Sequence, residues 1–159
     1  RMRAVSIYTA TSIRGRWGKN GHVGYALEYY AEGHKQPDVL FDYEQVENVN
    51  ENRAELIALL RALARMREKC VLTLYTESEY LYQGLKDDGH VEKWIKSGWK
   101  TVKGTEVKNR DLWQKLMAAL QGNLYTLEIR RGNAYTARLH AEMERKEREY
   151  MSKSRASKS

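Results

Sequence analysis

Asn50-Glu51-Asn52-Arg53-Ala54-Glu55-Leu56-Ile57-Ala58-Leu59-Leu60-Arg61-Ala62-Leu63 is the stretch on which the reading of this chain turns. Leu56, Leu59, Leu60 and Leu63 recur at the three-four spacing of one helical face, with Glu, Arg and Ala around them. Asn50 or Asn52 can cap its start, because a short side-chain oxygen accepts from the free N–H groups of a first turn. The stretch predicts an amphipathic helix with a leucine side to bury.

Strand patterns lie before and after it. Ala4 to Thr9 sets Val5, Ile7 and Thr9 against Ser6 and Tyr8, the alternation of a strand. After Gly15, Gly18 and Gly21, a second strand-like run spans Val23 to Tyr30. Pro37 breaks it, and Val39 to Tyr43 predicts a third strand, so the first three make a meander. Downstream, Cys70 to Tyr75 reads as a buried strand ending at Thr76-Glu77-Ser78, followed by a short helix with Tyr80, Leu81 and Leu85. Asn109 to Gln121 is a second amphipathic helix carrying Leu112, Trp113, Leu116, Met117 and Leu120, and Gly122 stops it. Leu124 to Ile129 is a fifth strand and Ala137 to Met151 a charged helix. Ser152 to Ser159 is Ser/Lys-rich and is expected to be disordered. With no repeat or linker, residues 1–151 read as one domain.

Composition narrows the function classes. Cys70 is alone, which excludes an internal disulfide and a multi-cysteine zinc site, and suits a buried thiol in a reducing, cytoplasmic setting. No apolar run approaches a membrane span, and no signal-peptide pattern opens the chain. The net charge is +7, an excess that suits phosphate-rich partners. Lys93, Lys96, Lys100, Lys103, Lys108 and Arg110 face only Glu106, with Trp94 and Trp99 interleaved. That segment reads either as a solvated basic loop or as a phosphate-gripping one.

Taken together, these motifs resemble type 1 ribonuclease H, in register from about Val5 to Gly132. Val5-Ser6-Ile7-Tyr8-Thr9-Ala10-Thr11-Ser12 is similar to the family's first strand, which normally ends Thr-Asp-Gly-Ser. Glu51-Asn52-Arg53-Ala54-Glu55-Leu56 resembles its Asn-Asn-Arg-x-Glu-Leu helix start, and Thr76-Glu77-Ser78-Glu79-Tyr80 its Thr-Asp-Ser-x-Tyr turn. Gly98-Trp99-Lys100-Thr101 through Val107-Lys108-Asn109-Arg110-Asp111-Leu112-Trp113 resembles the basic protrusion and following helix of the bacterial enzymes. The resemblance implies an α/β ribonuclease H-like fold: a five-stranded mixed sheet, three antiparallel strands then two parallel, flanked by helices. The protrusion then covers about residues 92–108.

The resemblance also implies a chemistry, and the chain departs from it. In the family, four acids hold two divalent metals, usually magnesium, for in-line hydrolysis of the RNA strand. Ala10 stands where the metal-bridging aspartate belongs, and a shift of register offers only Thr9 or Thr11. Glu55 matches the second acid. Glu77 matches the third, one methylene longer than the family's aspartate. Ungapped continuation puts Met143 at the fourth position, and Glu142 fits only with a one-residue gap, being rotated about 100° around the helix. In the loop Arg131-Gly132-Asn133-Ala134, Asn133 replaces the family's mobile histidine, and His140 reads as a surface or part-core residue.

For binding, the resemblance implies phosphate contacts by Lys93, Lys96, Lys100 and Lys103 and hybrid contact through Asn52. Trp94 and Trp99 either pack the protrusion or stack on sugar. Glu51 and Glu79 are acids where the family has neutral residues, and the loop Ile13 to Asn20 has gained Arg14, Arg16 and Lys19, charges that suit a phosphate and make Arg14 and Arg16 expected nucleic-acid contacts. Three functions stay open: a monomeric module holding RNA/DNA hybrid or duplex with cleavage lost or weak; a divergent magnesium- or manganese-dependent endoribonuclease using Glu55, Glu77 and Glu142; and a protein-interaction domain.

Overall fold

Each of the five strand patterns forms a strand in the computed structural model, which describes residues 2–129 and 132–158. Arg1, Arg130, Arg131 and Ser159 lie outside the described residues. The strands are β1 (Arg3–Thr11), β2 (Lys19–Tyr29), β3 (Asp38–Val49), β4 (Cys70–Thr76) and β5 (Leu124–Ile129), in the sheet order β3-β2-β1-β4-β5. β1, β2 and β3 are an antiparallel meander, while β4 pairs with β1, and β5 with β4, in parallel.

A parallel neighbour needs a crossover, and helices supply both. α1 (Glu51–Leu63) carries the chain from β3 to β4; α2 (Glu79–Leu85), α3 (His90–Lys96) and α4 (Arg110–Leu120) carry it from β4 to β5. On this side of the sheet Val5, Ile7, Leu27, Leu72 and Leu74 meet Leu56, Leu59 and Leu63 of α1 and Leu112, Trp113 and Leu116 of α4 in the main core. The opposite face carries Tyr8, Ala10 and Ala26, covered by Leu139 and Met143 of α5 (Ala134–Lys158). The period-two alternation of β1 therefore divides its residues between two cores.

Asn50 is the cap of α1, its side chain accepting from the Arg53 N–H at 2.9 Å. Arg53 then reaches α4, donating to Asp111 at 3.0 and 2.7 Å and to the Asn109 side chain at 3.2 Å. Asn109 adopts a left-handed conformation (φ 62°), which turns the chain into α4.

β1 and β2 start earlier than their patterns, at Arg3 and Lys19, and β3 and α5 run well past theirs. β3 continues from Tyr43 to Val49 through Glu44, Gln45, Glu47 and Asn48, because an edge strand can keep polar residues in water. Only Val46 and Val49 turn inward there. α5 passes Met151 and runs to Lys158, so 152–158 are helical where the sequence suggested a disordered tail. The i,i+4 pairs Arg145–Glu149 and Arg148–Glu144 support the run at 3.1 and 3.9 Å, and Ser157 Oγ donates to the Ser154 carbonyl at 3.0 Å. α3 is a separate short helix at the base of the protrusion, between the two helices read from the sequence.

Candidate functional site

The parallel pairing sets Tyr8 beside Tyr75, which brings the ends of β1 and β4 together. Glu77 follows directly on β4, and Ser78 caps α2 by accepting from the Leu81 N–H at 3.1 Å. Glu55 points to the same place from α1. Arg14, Glu51, Glu55 and Glu77 line one cavity of about 270 Å³ at this end of the sheet. The structure thus brings Glu55 and Glu77 together with Arg14, expected from the sequence as a nucleic-acid contact, and with Glu51, read there as a departure from the family.

Glu55 is only 4% exposed, and its Oε2 has no hydrogen-bond partner among the described residues. Burial pushes its carboxyl up to about 8; the nearby Arg14 pulls it down, while Glu77 and Glu51 add to the rise. Glu77 is engaged by α5, where His140 Nε2 lies 2.7 Å from its Oε1. His140 therefore belongs to the site, although the sequence reading gave it a bland role. The available signal was its place three residues before Met143, on the same helical face.

Ala10 and Met143 explain each other. Both are 0% exposed and share a cluster with Tyr8, Ala26 and Leu139. The two positions where the resemblance expects acids are both buried in one apolar cluster between β1 and α5. Glu142 does not line the cavity. Its Oε1 accepts from Arg145 Nη2 at 2.5 Å and lies 3.9 Å from Lys146 Nζ. Those cations hold its carboxyl below the usual range, with the Arg145 hydrogen bond the largest cause.

A two-metal arrangement needs carboxylates converging on the ions. The donor set here does not fit one: Ala10 and Met143 offer no ligand oxygen, and Glu142 is turned to Arg145. Among the described residues, no group of three or more His, Cys, Asp or Glu side chains is arranged to hold a metal ion.

The basic segment is built differently. Lys93, Lys96, Lys100 and Lys103 are all exposed. Trp94 lies edge-on to the buried Trp113 at 5.7 Å and tilted against Trp99 at 6.1 Å, and both partly buried rings pack on the main core. The Trp99 N–H donates to the Trp94 carbonyl at 2.7 Å, closing the loop. The indoles therefore act as the foundation that holds the lysines out. Asn52 is exposed on α1, and Arg16 lies over the Trp17 ring at 4.8 Å. Trp17, 70% exposed, is an aromatic of this loop that the charge pattern did not single out.

Comparison with known proteins agrees with this fold. A family model described as RNase H matches residues 2–132. Ribonuclease HI of Xylella fastidiosa (strain 9a5c) is 36% identical over 123 residues, 77% of this chain and 76% of that protein. Ribonuclease H of Acetivibrio thermocellus is 41% identical over 115 residues, 72% of this chain and 73% of that protein. Among solved structures, LC9-RNase H1, described as a type 1 RNase H with the type 2 active-site motif, shares the fold at a TM-score of 0.71 and 23% identity. That match covers 84% of this chain and 65% of that one. LC11-RNase H1 in complex with RNA/DNA hybrid superposes at a TM-score of 0.51 and 17% identity, covering 82% and 89%.

Proposed function

The chain belongs to the RNase H family, and from that premise we propose that it binds RNA/DNA hybrid or duplex nucleic acid with hydrolysis of the RNA strand lost or weak. The observation that carries the reading is the burial of Ala10 and Met143 in one apolar cluster, in a chain that keeps an exposed row of lysines. In this reading both acid positions have been given over to apolar packing, while the cationic surface is kept.

In this reading Lys93, Lys96, Lys100 and Lys103 neutralise backbone phosphates, and each neutralised phosphate releases condensed counterions, so affinity falls steeply with salt. Asn52, Arg14 and Arg16 line the side of α1 and the first loop that meets the duplex. Shape and 2′-hydroxyls, rather than base edges, then decide which duplex binds. No helix among the described residues is long and apolar enough to cross a membrane. The reading places the chain in the cytoplasm as a monomer, in keeping with its lone, buried Cys70.

The test is fluorescence anisotropy with labelled hybrid, double-stranded RNA and double-stranded DNA across a salt series, beside a cleavage assay in magnesium and in manganese. Salt-steep binding with intact RNA supports the proposal, and no binding at low salt sinks it. A second reading, a slow magnesium- or manganese-dependent endoribonuclease, draws on Glu55 and Glu77 lining one cavity. It requires metal-dependent cleavage that disappears in Glu55→Gln and weakens in Glu142→Gln.

A further inference from the structure

The carboxylate cavity holds a cation of its own. A divalent ion needs several oxygens converging on one point, and Ala10 and Met143, where the resemblance expects acids, carry no side-chain oxygen and lie buried in an apolar cluster. Arg14 reaches into the cavity that Glu51, Glu55 and Glu77 line. Its Nη1 donates to the Thr11 and Ile13 carbonyls at 2.8 and 3.0 Å, which anchors the guanidinium just beyond Ala10. The same nitrogen stands 3.6 Å from Glu51 Oε1.

Glu51 also holds the loop in place. Its Oε2 accepts from the Gly15 N–H at 3.1 Å, and its own N–H donates to the Gly15 carbonyl at 3.0 Å. The start of α1 and the loop after β1 are therefore latched by two reciprocal bonds, with Arg14 between them. Glu55 lines the same cavity, and its buried Oε2 has no hydrogen-bond partner among the described residues. Arg14 counters part of the rise that burial gives the Glu55 carboxyl.

We infer that Arg14 takes the place of a divalent ion in this chain: a fixed guanidinium occupies the carboxylate cavity, excludes metal from it and holds a backbone phosphate of the bound nucleic acid. The inference rests on the nucleic-acid-binding reading above. Among the described hydrogen bonds, Nε and Nη2 of Arg14 donate to nothing, and the side chain is 55% exposed. That free edge of a guanidinium presents parallel N–H donors matched to two phosphate oxygens. Duplex binding by this chain is then independent of divalent ions.

The test has two arms on the full chain, with circular dichroism to confirm folding of each variant. In the first, manganese alone is titrated into the wild type, Arg14→Gln and Arg14→Met, the last keeping the stem without the charge. Both variants are expected to bind manganese about tenfold or more tightly than the wild type, because a repelling cation has left the carboxylates. Equal manganese affinity in all three overturns the inference. In the second arm, anisotropy with a labelled RNA/DNA hybrid is read in EDTA and in magnesium at matched ionic strength. Wild-type affinity is expected to be the same in both, and Arg14→Gln to lose about tenfold in EDTA and regain part of it with manganese. A wild type that needs magnesium to bind overturns the inference. If no hybrid binds under any condition, the proposed function fails, while the manganese comparison still decides whether Arg14 occupies the metal position.

Discussion

Replacing Glu55 by glutamine tests the electrostatics of the cavity through folding stability alone. The Glu55 carboxyl rises from an ordinary value of 4.5 to about 8 in the folded protein, chiefly because burial disfavours its charge. The folded state therefore holds a proton that the unfolded chain has released over that window, and stability falls as pH rises through it. The contribution is fully present below about 4.5, where both states are protonated, and is lost as pH rises through about 8. At about 1.4 kcal/mol per tenfold change in proton affinity, the whole window amounts to roughly 4–5 kcal/mol. Glutamine has the same shape and no charge to bury, so Glu55→Gln should behave like the wild type near pH 5 and be more stable by several kcal/mol near pH 9. Urea denaturation of both proteins at the two pH values measures the difference. Parallel stability curves across the range would refute a buried, desolvated Glu55.

Other expectations follow from particular side chains. Gly84→Ala places a Cβ against the ring of the buried Trp113, and overpacking of that kind should cost about 1–3 kcal/mol in chemical denaturation. A double-mutant cycle on Arg53→Ala and Asp111→Ala should return a coupling of about 0.5–1 kcal/mol, modest because both side chains are partly exposed. Replacing Lys96, Lys100 and Lys103 by alanine should weaken hybrid and duplex binding alike and lower the logarithmic salt slope by about 0.9 for each phosphate no longer neutralised. Unchanged slopes would mean those lysines are bystanders.

Local chemistry made most of the fold legible. Alternation over Ala4 to Thr9, the leucine spacing of Leu56 to Leu63 and the stop at Gly122 each depend on neighbours in the chain, and each element lies where its pattern falls. The second half of β3 was hidden because its residues are those of a solvated edge, which carry no apolar alternation. The site was legible where a motif fixes a side chain to an element, as for Glu55 and Glu77. What it did not show was pairing across the sheet. Whether Ala10 leaves a gap or a packed contact depends on Met143, and the two are brought together only by α5 crossing β1. The same crossing turns His140 to Glu77, while Glu142, two residues on, pairs with Arg145. The tryptophans of the protrusion are a third case. Composition allowed stacking on sugar, whereas Trp113 lies beneath Trp94 and claims it for packing.

The measurement closest to the centre of this reading is a single reaction: labelled RNA/DNA hybrid held with saturating protein in manganese, followed on a denaturing gel. Bound hybrid with its RNA strand intact over the whole course is expected from the proposed duplex-binding domain, with Ala10 and Met143 buried in an apolar cluster. Cleavage of the RNA strand that Glu55→Gln abolishes would contradict it.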